Sequence, residues 1–295
     1  MRVFVTGASG WVGSAVTAEL LASGHQVVGL ARSDESGEAI RAAGAEVQRG
    51  DITDLDSLRA GTEGVDGVIH TAFIHDFSAH EQAAAIDRAA VDLFGDVLEG
   101  SDRPFIFASG ILGAVSVETD EADPARVLSP RVGTEQVARR FSERGIRSAA
   151  VRLAPTVHGD GDHGFMSVLV QVDRAKGSAG YIGDGTSTWP AVHRLDAAHL
   201  FCLALEKAPA GSALHAIGDE AVPMRDIAEV IGRHLDVPLA SIAPEDAVDH
   251  FGWLGRFLAI DSHASSAYTR ELLGWEPTHP GLIADLEEGH YFRVR

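Results

Sequence analysis

The chain lacks the features of a secreted or membrane-spanning protein. It has a single cysteine, Cys202, within an apolar run (AHLFCLALE), so no disulfide framework exists and this residue is expected in the core. No apolar run approaches the ~20 residues of a membrane-spanning helix. Because the sequence MRVFVTGASG enters a strand and a glycine turn at once, we expect no signal peptide and a cytoplasmic location.

Basic residues are scarce relative to acidic ones. The 295 residues include 24 lysines and arginines against 43 aspartates and glutamates, which gives a net charge of −19. Nucleic-acid binding depends on basic patches, and anionic membranes repel acidic surfaces, so we expect neither partner. With 45% hydrophobic residues the chain can bury a substantial core. A small-molecule substrate is the expected partner, and a homodimer is left open.

Strand-like and helical segments alternate over the first half of the chain. This alternation predicts an α/β fold of the Rossmann type, a doubly wound parallel sheet with helices on both faces. From residue 158 glycine-rich segments and shorter helices follow, so we divide the chain into residues 1–157 and a smaller substrate-binding part, 158–295. Residues 189–207 are expected to pack back on the first part, with Asp196 as the N-cap of a helix.

The segment TGASGWVG follows the first strand and opens a helix, with glycines at Gly7, Gly10 and Gly13. In a phosphate loop one glycine makes the tight turn, one lets the backbone approach a diphosphate, and one lets helix and strand pack closely. The helix N-terminus, with Trp11 and Val12, would then face the anion. A purely structural turn is the alternative. The position at the start of a strand–helix–strand unit favours dinucleotide binding.

The end of the second strand indicates which dinucleotide binds. An NAD site places a carboxylate there for the ribose 2′-hydroxyl, but the sequence GLARS has Ala31, followed by Arg32 and Ser33. A guanidinium and a hydroxyl suit a 2′-phosphate, so NADP is favoured over NAD. After the third strand, Asp51, followed by Ile52, either accepts from the adenine amino group or forms a turn.

The glycine pattern, the sequence RGD after strand three, HTA after strand four, FASG, RLAPTVHG, VHRLDAA and LGWEP together resemble the extended branch of the short-chain dehydrogenase/reductase superfamily. The resemblance spans essentially the whole chain. It implies a Rossmann domain with a smaller C-terminal substrate-binding part. It also implies that Thr71, Ala72 and Pro155 lie at the cofactor.

Catalysis in that family uses an asparagine, a serine or threonine, and a tyrosine four residues before a lysine. By position, Ser109 corresponds to the serine and Asp87 to the asparagine, whereas Arg131 and Glu135 occupy the tyrosine and lysine positions. The chain has only three tyrosines and two lysines, and none forms Tyr-x-x-x-Lys. The chain therefore resembles the atypical members of the epimerase/dehydratase type.

Arg131 and Glu135 lie one turn apart on a predicted helix, and two interpretations remain open. They form an exposed i,i+4 ion pair, or they face the nicotinamide, with Glu135 accepting from ribose hydroxyls and Arg131 polarising a carbonyl. Other proton donors are then expected from the second part, namely His158 in HGDGDHG and Tyr181 in GYIGDG. We expect no metal in HGDGDHG, because no further ligands are spaced to complete a site.

Three functions fit these observations. The first is an NADP(H)-dependent oxidoreductase that acts on a small carbonyl or hydroxy compound through a non-standard proton donor. The second is epimerisation or dehydration of a nucleotide sugar, which depends more heavily on the missing tyrosine. The third is an NADP(H)-binding sensor or partner protein without turnover, which the joint loss of tyrosine and lysine favours.

Overall fold

The computed structural model describes residues 1–74, 80–123 and 131–293, in which strands and helices alternate from the first residues onward. The strands are β1 (Arg2–Thr6), β2 (Gln26–Ala31), β3 (Glu46–Arg49), β4 (Gly67–His70), β5 (Pro104–Gly110), β6 (Arg147–Leu153), β7 (Thr156–His158), β8 (Ala179–Ile182), β9 (Thr188–His193), β10 (Ser212–Ala216), β11 (Asp219–Pro223) and β12 (Leu239–Ile242).

In the described residues, helices lie between many of these strands, and four more helices follow β12. The helices are α1 (Trp11–Ala22), α2 (Asp34–Ala42), α3 (Leu55–Gly61), α4 (His80–Leu98), α5 (Arg131–Arg140), α6 (Phe165–Lys176), α7 (Arg194–Lys207), α8 (Met224–Leu235), α9 (Ala247–Phe251), α10 (Gly255–Leu258), α11 (Ala267–Leu273) and α12 (Leu282–Glu287). None of the helices in the described ranges is both long and apolar enough to cross a membrane.

Seven strands form the main sheet in the order β10-β6-β5-β4-β1-β2-β3, and all neighbouring pairs are parallel. The chain winds outward from β1 through β2 to β3, then returns to β4 and winds the other way. The strand order reverses between β1 and β4, which is where doubly wound sheets bind ligands at their carboxyl edge. The predicted Rossmann-type fold is confirmed.

Helices on both faces explain why the inner strands β1, β4, β5 and β6 are almost completely buried. In β1, Val3, Phe4 and Val5 are completely buried although alternate side chains point to opposite faces. Helix α7 lies alongside α1 on one face of the sheet. Strand β10 pairs with β6 and adds a seventh strand that the sequence pattern did not predict.

The rest of the second part contains two small sheets, β11-β9-β7 and β12-β8, around a separate apolar cluster. The expected N-cap of α7 is wrong. His193 caps this helix by accepting from the N–H of Leu195, whereas Asp196 lies in the first turn and binds Thr278 and His279. The division of the chain at residue 157 stays a prediction.

Candidate active site

Three glycines shape the turn between β1 and α1. Gly7 has a φ of +72°, a left-handed conformation that glycine adopts without strain. The N–H of Gly10 donates to the carbonyl oxygen of Gly7 at 2.8 Å and closes the turn. A Cβ on Gly13 would lie 2.0 Å from that same oxygen, so only glycine lets α1 pack this closely. The N-terminus of α1 consequently faces the carboxyl edge of the sheet.

Thr71 and Ala72 follow β4 and border this loop. The hydroxyl of Thr71 donates to the carbonyl oxygen of Thr6 at 2.7 Å, and a Cβ on Gly7 would lie 2.8 Å from the Ala72 nitrogen. The result is a cradle lined by backbone, which fits the diphosphate of a dinucleotide. Of the other predicted cofactor residues, Val12 packs against the core and Pro155 lies between β6 and β7. Their contacts with a cofactor stay predictions.

The ends of β2 and β3 hold the residues predicted to select the cofactor. Arg32 is exposed, and none of the polar contacts among the described residues involves it. Ser33 caps α2, its hydroxyl accepting from the Ser36 N–H at 3.1 Å. The carboxylate of Asp51 accepts from the N–H and hydroxyl of Thr53, so it forms the turn that was one of its two expected roles. The neighbouring Ile52 packs in the core.

Arg131 begins α5 and is 8% exposed. Its Nη2 donates to Oδ1 of Asp87 at 2.9 Å and to the carbonyl oxygen of Ala72 at 3.2 Å. The guanidinium also lies over the ring of Phe107, 4.5 Å from its centroid. A buried carboxylate therefore holds the side chain that stands at the family's tyrosine position.

The Arg131–Asp87 pair continues inward to β1. His70 Nε2 lies 3.2 Å from Asp87 Oδ1, and His70 Nδ1 lies 2.7 Å from the hydroxyl of Thr6. Burial lowers the pKa of His70, which favours the neutral ring. Burial alone would raise the pKa of Asp87, but the charge of Arg131 and the bonds from His70 and Arg131 outweigh it and lower that pKa. Asp87 is thus kept ionised opposite Arg131.

Glu135 belongs to a second buried network, on the β6 side of α5. Its Oε1 accepts from Nε of Arg152 at 2.8 Å. Nη1 of Arg152 donates to the carbonyl oxygen of Glu118 and lies 3.4 Å from Nε2 of His215. Burial lowers the pKa of His215 to about 4, so this ring is neutral beside the guanidinium at pH 7.

The exposed i,i+4 pair considered for Arg131 and Glu135 is therefore wrong. Both side chains are buried, and each binds a partner from another element, Asp87 on α4 and Arg152 on β6. The sequence contains both partners but gives no local signal for the pairing. An ionised, buried partner also offsets the charge of Arg131, so this guanidinium is poorly suited to polarise a substrate carbonyl. A contact of Glu135 with the ribose stays a prediction.

Ser109 ends up at the carboxyl edge, on β5. It is 4% exposed, and its hydroxyl has no hydrogen-bond partner among the described residues. A Cβ built on the next residue, Gly110, would meet no described atom within 4 Å, so there is free space at the end of β5 on the face opposite the Ser109 side chain. A buried hydroxyl without a partner costs free energy unless a ligand supplies one.

The two proton donors expected from the second part lie elsewhere in the fold. His158 is completely buried, its Nδ1 lies 2.9 Å from Oδ2 of Asp285, and its Nε2 has no partner among the described residues. Tyr181 lies on β8 rather than in a loop, and Arg225 packs over its ring. In the described part of the chain no contact joins either side chain to Ser109. Their catalytic roles stay predictions.

Comparison of the sequence with known proteins identifies a family and several relatives. The model of the NAD dependent epimerase/dehydratase family matches residues 3–217. An uncharacterised protein of Schizosaccharomyces pombe is 46% identical over 297 residues, covering 99% of this chain and all of that protein. The 4-hydroxy-2-methyl-3-oxo-4-farnesyl-3,4-dihydroquinoline-1-oxide ketoreductase of Stigmatella aurantiaca is 26% identical over 225 residues, covering 72% of this chain and 66% of the relative.

The fold also matches solved structures. The Thermus thermophilus UDP-glucose 4-epimerase, solved as a complex with NAD, superimposes with a TM-score of 0.73 at 18% identity over 99% of both chains. This likeness supports the fold alone. The family match agrees with the resemblance seen in the sequence. The chain is atypical because Arg131 and Glu135 stand at the positions of the family's tyrosine and lysine. The chain belongs to the NAD dependent epimerase/dehydratase family, within the short-chain dehydrogenase/reductase superfamily.

Proposed function

We propose that the chain is an NADP(H)-dependent oxidoreductase that interconverts a small carbonyl compound and its alcohol without a catalytic tyrosine. The observation that carries the proposal is the hydroxyl of Ser109. It is buried at the carboxyl edge of β5 and lacks a hydrogen-bond partner among the described residues. A substrate carbonyl oxygen placed there would accept from this hydroxyl.

The preference for NADP(H) rests on the end of β2. Ala31 leaves no carboxylate to bind a ribose 2′-hydroxyl or to repel a 2′-phosphate, and Arg32 is exposed with no partner among the described residues. A free guanidinium suits a phosphate.

When bound, the nicotinamide supplies or accepts hydride, which leaves orientation and proton transfer to the protein. The Ser109 hydroxyl would orient the reacting oxygen by donating a hydrogen bond to it, and a second group would supply the proton, because a serine hydroxyl is too weak an acid to be the terminal donor. Arg131 fixes the backbone at Ala72, which borders the phosphate loop. The ketoreductase of Stigmatella aurantiaca, whose name describes reduction of a ketone, supports this reaction class.

One observation favours a second function, an NADP(H)-binding sensor without turnover. Arg131 and Glu135 are both held by buried ion pairs, so the positions that hold the family's proton relay perform a structural task. The same phosphate loop would then bind the dinucleotide only to stabilise one state of the protein.

Stereospecifically deuterated NADPH distinguishes the two functions. We expect transfer of deuterium to at least one member of a panel of small aldehydes and ketones, measured by mass spectrometry. Ser109→Ala should abolish the transfer yet retain NADPH affinity, whereas Ser212→Ala, a change in a serine that binds only the nearby Pro209 carbonyl, should retain both. Tight NADPH binding without deuterium transfer to any panel member would contradict the oxidoreductase and support the sensor.

A further inference from the structure

Trp11, the first residue of α1, contacts strand β7 and two residues of the second part of the chain. Its Nε1 donates to the carbonyl oxygen of Val157 at 2.8 Å, and its ring meets the edge of His163 with centroids 5.7 Å apart. The guanidinium of Arg194 lies over the ring, 4.2 Å from its centroid. The first turn of the phosphate-loop helix is therefore flanked by groups from β7, the segment after it and α7.

Arg194 begins α7 beside the N-terminus of α1. Its Nη2 donates to the hydroxyl of Ser14 at 2.9 Å, and that hydroxyl donates to the carbonyl oxygen of Gly10. Further along the two helices, His199 Nδ1 lies 2.7 Å from Glu19. The residue numbers increase together along both helices, so α1 and α7 run in the same direction and their N-termini lie side by side.

The charge of Arg194 is not compensated by the protein. No carboxylate forms an ion pair with this guanidinium in the described ranges, and its Nε is buried without a hydrogen-bond partner there. Burial lowers the pKa of Arg194, and no neighbouring acid opposes that effect. In a chain of net charge −19, a partly desolvated cation without a counter-ion is costly unless a ligand supplies the anion.

We infer that Arg194 binds the diphosphate of the dinucleotide, so that the second part of the chain completes the phosphate site that the Gly7–Gly13 turn begins. Trp11 serves as the platform that holds the guanidinium, and the adjacent N-terminus of α7 adds its positive end. The inference rests on dinucleotide binding, which the proposed function also requires, but it does not require turnover. It assigns a role in cofactor affinity to a residue outside the glycine motif.

Calorimetric titration with ADP, NAD⁺ and NADP⁺ tests the assignment. Arg194→Met keeps an unbranched stem and removes the guanidinium with its charge. We expect it to weaken the binding of all three ligands by a similar factor, about ten- to hundredfold. Arg32→Ala should weaken NADP⁺ alone. The matched control is Arg88→Met, which removes the same charge from an exposed pair with Asp92 and should leave all three affinities unchanged.

Thermal melting without ligand separates this role from a structural one. Because an uncompensated cation is removed, Arg194→Met should melt at or above the wild-type temperature in the absence of dinucleotide. A lower melting temperature with unchanged ADP affinity would overturn the inference and make Arg194 a structural brace for Trp11. If Arg194→Met fails to fold, Arg194→Gln, which also removes the charge but keeps a polar side chain, decides: wild-type ADP affinity overturns the inference, and a loss of ADP affinity supports it. Absence of carbonyl reduction would contradict the proposed function and leave the ADP result intact.

Discussion

The phosphate loop and the start of α5 both lie at the carboxyl edge of the main sheet, and they are built in opposite ways. The loop works through the absence of side chains: at Gly13 even a methyl group would collide with the Gly7 carbonyl. The start of α5 works through large charged side chains, Arg131 and Glu135, each held by a buried ion pair. One region keeps the family's backbone geometry, and the other has lost the family's reactive side chains.

This difference shows that the glycine turn and the α5 side chains depend on different kinds of contact. The glycine turn depends on residues close in sequence, and Thr71 and Ala72 after β4 complete the cradle. The α5 positions depend on partners from other elements: Asp87 holds Arg131 and Arg152 holds Glu135, and both pairs are buried. On α5, Arg131 and Glu135 therefore take part in buried ion pairs.

The largest effect is expected from restoring the family's residues on α5. Arg131→Tyr with Glu135→Lys leaves Asp87 without its cation and places a lysine opposite Arg152. Breaking one buried pair costs about 3–5 kcal/mol, so the double variant should lose about 6 kcal/mol or more of unfolding free energy, measured in urea. We expect no carbonyl reductase activity in it.

The control for that experiment removes one pair completely. Asp87→Leu with Arg131→Leu leaves no unpaired buried charge and should cost far less than either single change, because apolar replacement of a buried ion pair is often close to neutral. A folded Tyr/Lys variant that turns over NADPH faster than the wild type would show that the site is intact and lacks only its donor.

The second prediction concerns the other region of the comparison. A Cβ on Gly10 would lie 3.2 Å from the Gly7 carbonyl, a tight but tolerable contact. Gly10→Val should therefore fold, yet lose dinucleotide affinity by more than about a hundredfold, or roughly 3 kcal/mol, because a branched side chain occupies the diphosphate's approach. Calorimetry measures the loss, and thermal melting without ligand checks the fold. Retained affinity would show that the loop is only a turn.

The features that the sequence predicts correctly depend on residues close in sequence. Those that it misses depend on residues far apart in the chain. The alternation of strand-like and helical segments correctly predicted the first six strands, β1 to β6, and the glycine turn before α1. Each of these features depends on residues close in sequence. Strand β10 was missed because five residues, SALHA, give no indication that they pair with β6. Asp196 was assigned as a cap because its true partners, Thr278 and His279, lie more than eighty residues away.

The same reason explains the error on α5. Spacing correctly placed Arg131 and Glu135 one turn apart, which made their mutual ion pair the simplest local interpretation. Both side chains are buried, and a buried charge needs a counter-ion. Arg131 pairs with Asp87, 44 residues away, and Glu135 pairs with Arg152, 17 residues away. No pattern within a helix reveals such partners.

The third prediction uses acid to weaken the α5 network. The folded-state pKa of His215 is lowered from 6.5 to about 4, so between these values the unfolded chain binds a proton that the folded chain does not. Stability from this group is present above pH 6.5 and is lost as the pH falls toward 4, by about 1–3 kcal/mol. Unfolding free energies of the wild type and His215→Asn should diverge across this window and not above it. Parallel pH profiles would contradict the prediction.

The smallest effect is expected at the far end of the cofactor site, where two arginines lie close together. Arg49 is already held by Asp34 and by the Ser33 carbonyl, so its charge is largely offset. Arg32 has no such partner within the described residues and is the side chain available to a 2′-phosphate.

Arg32→Ala should weaken NADP⁺ binding about tenfold and leave NAD⁺ binding unchanged, whereas Arg49→Ala should change the ratio of the NADP⁺ and NAD⁺ affinities little. The effect is modest because an exposed contact is screened by water and salt. Equal affinities of the wild type for NADP⁺ and NAD⁺ would refute the cofactor preference, and a larger loss in Arg49→Ala would assign the 2′-phosphate to Arg49 instead.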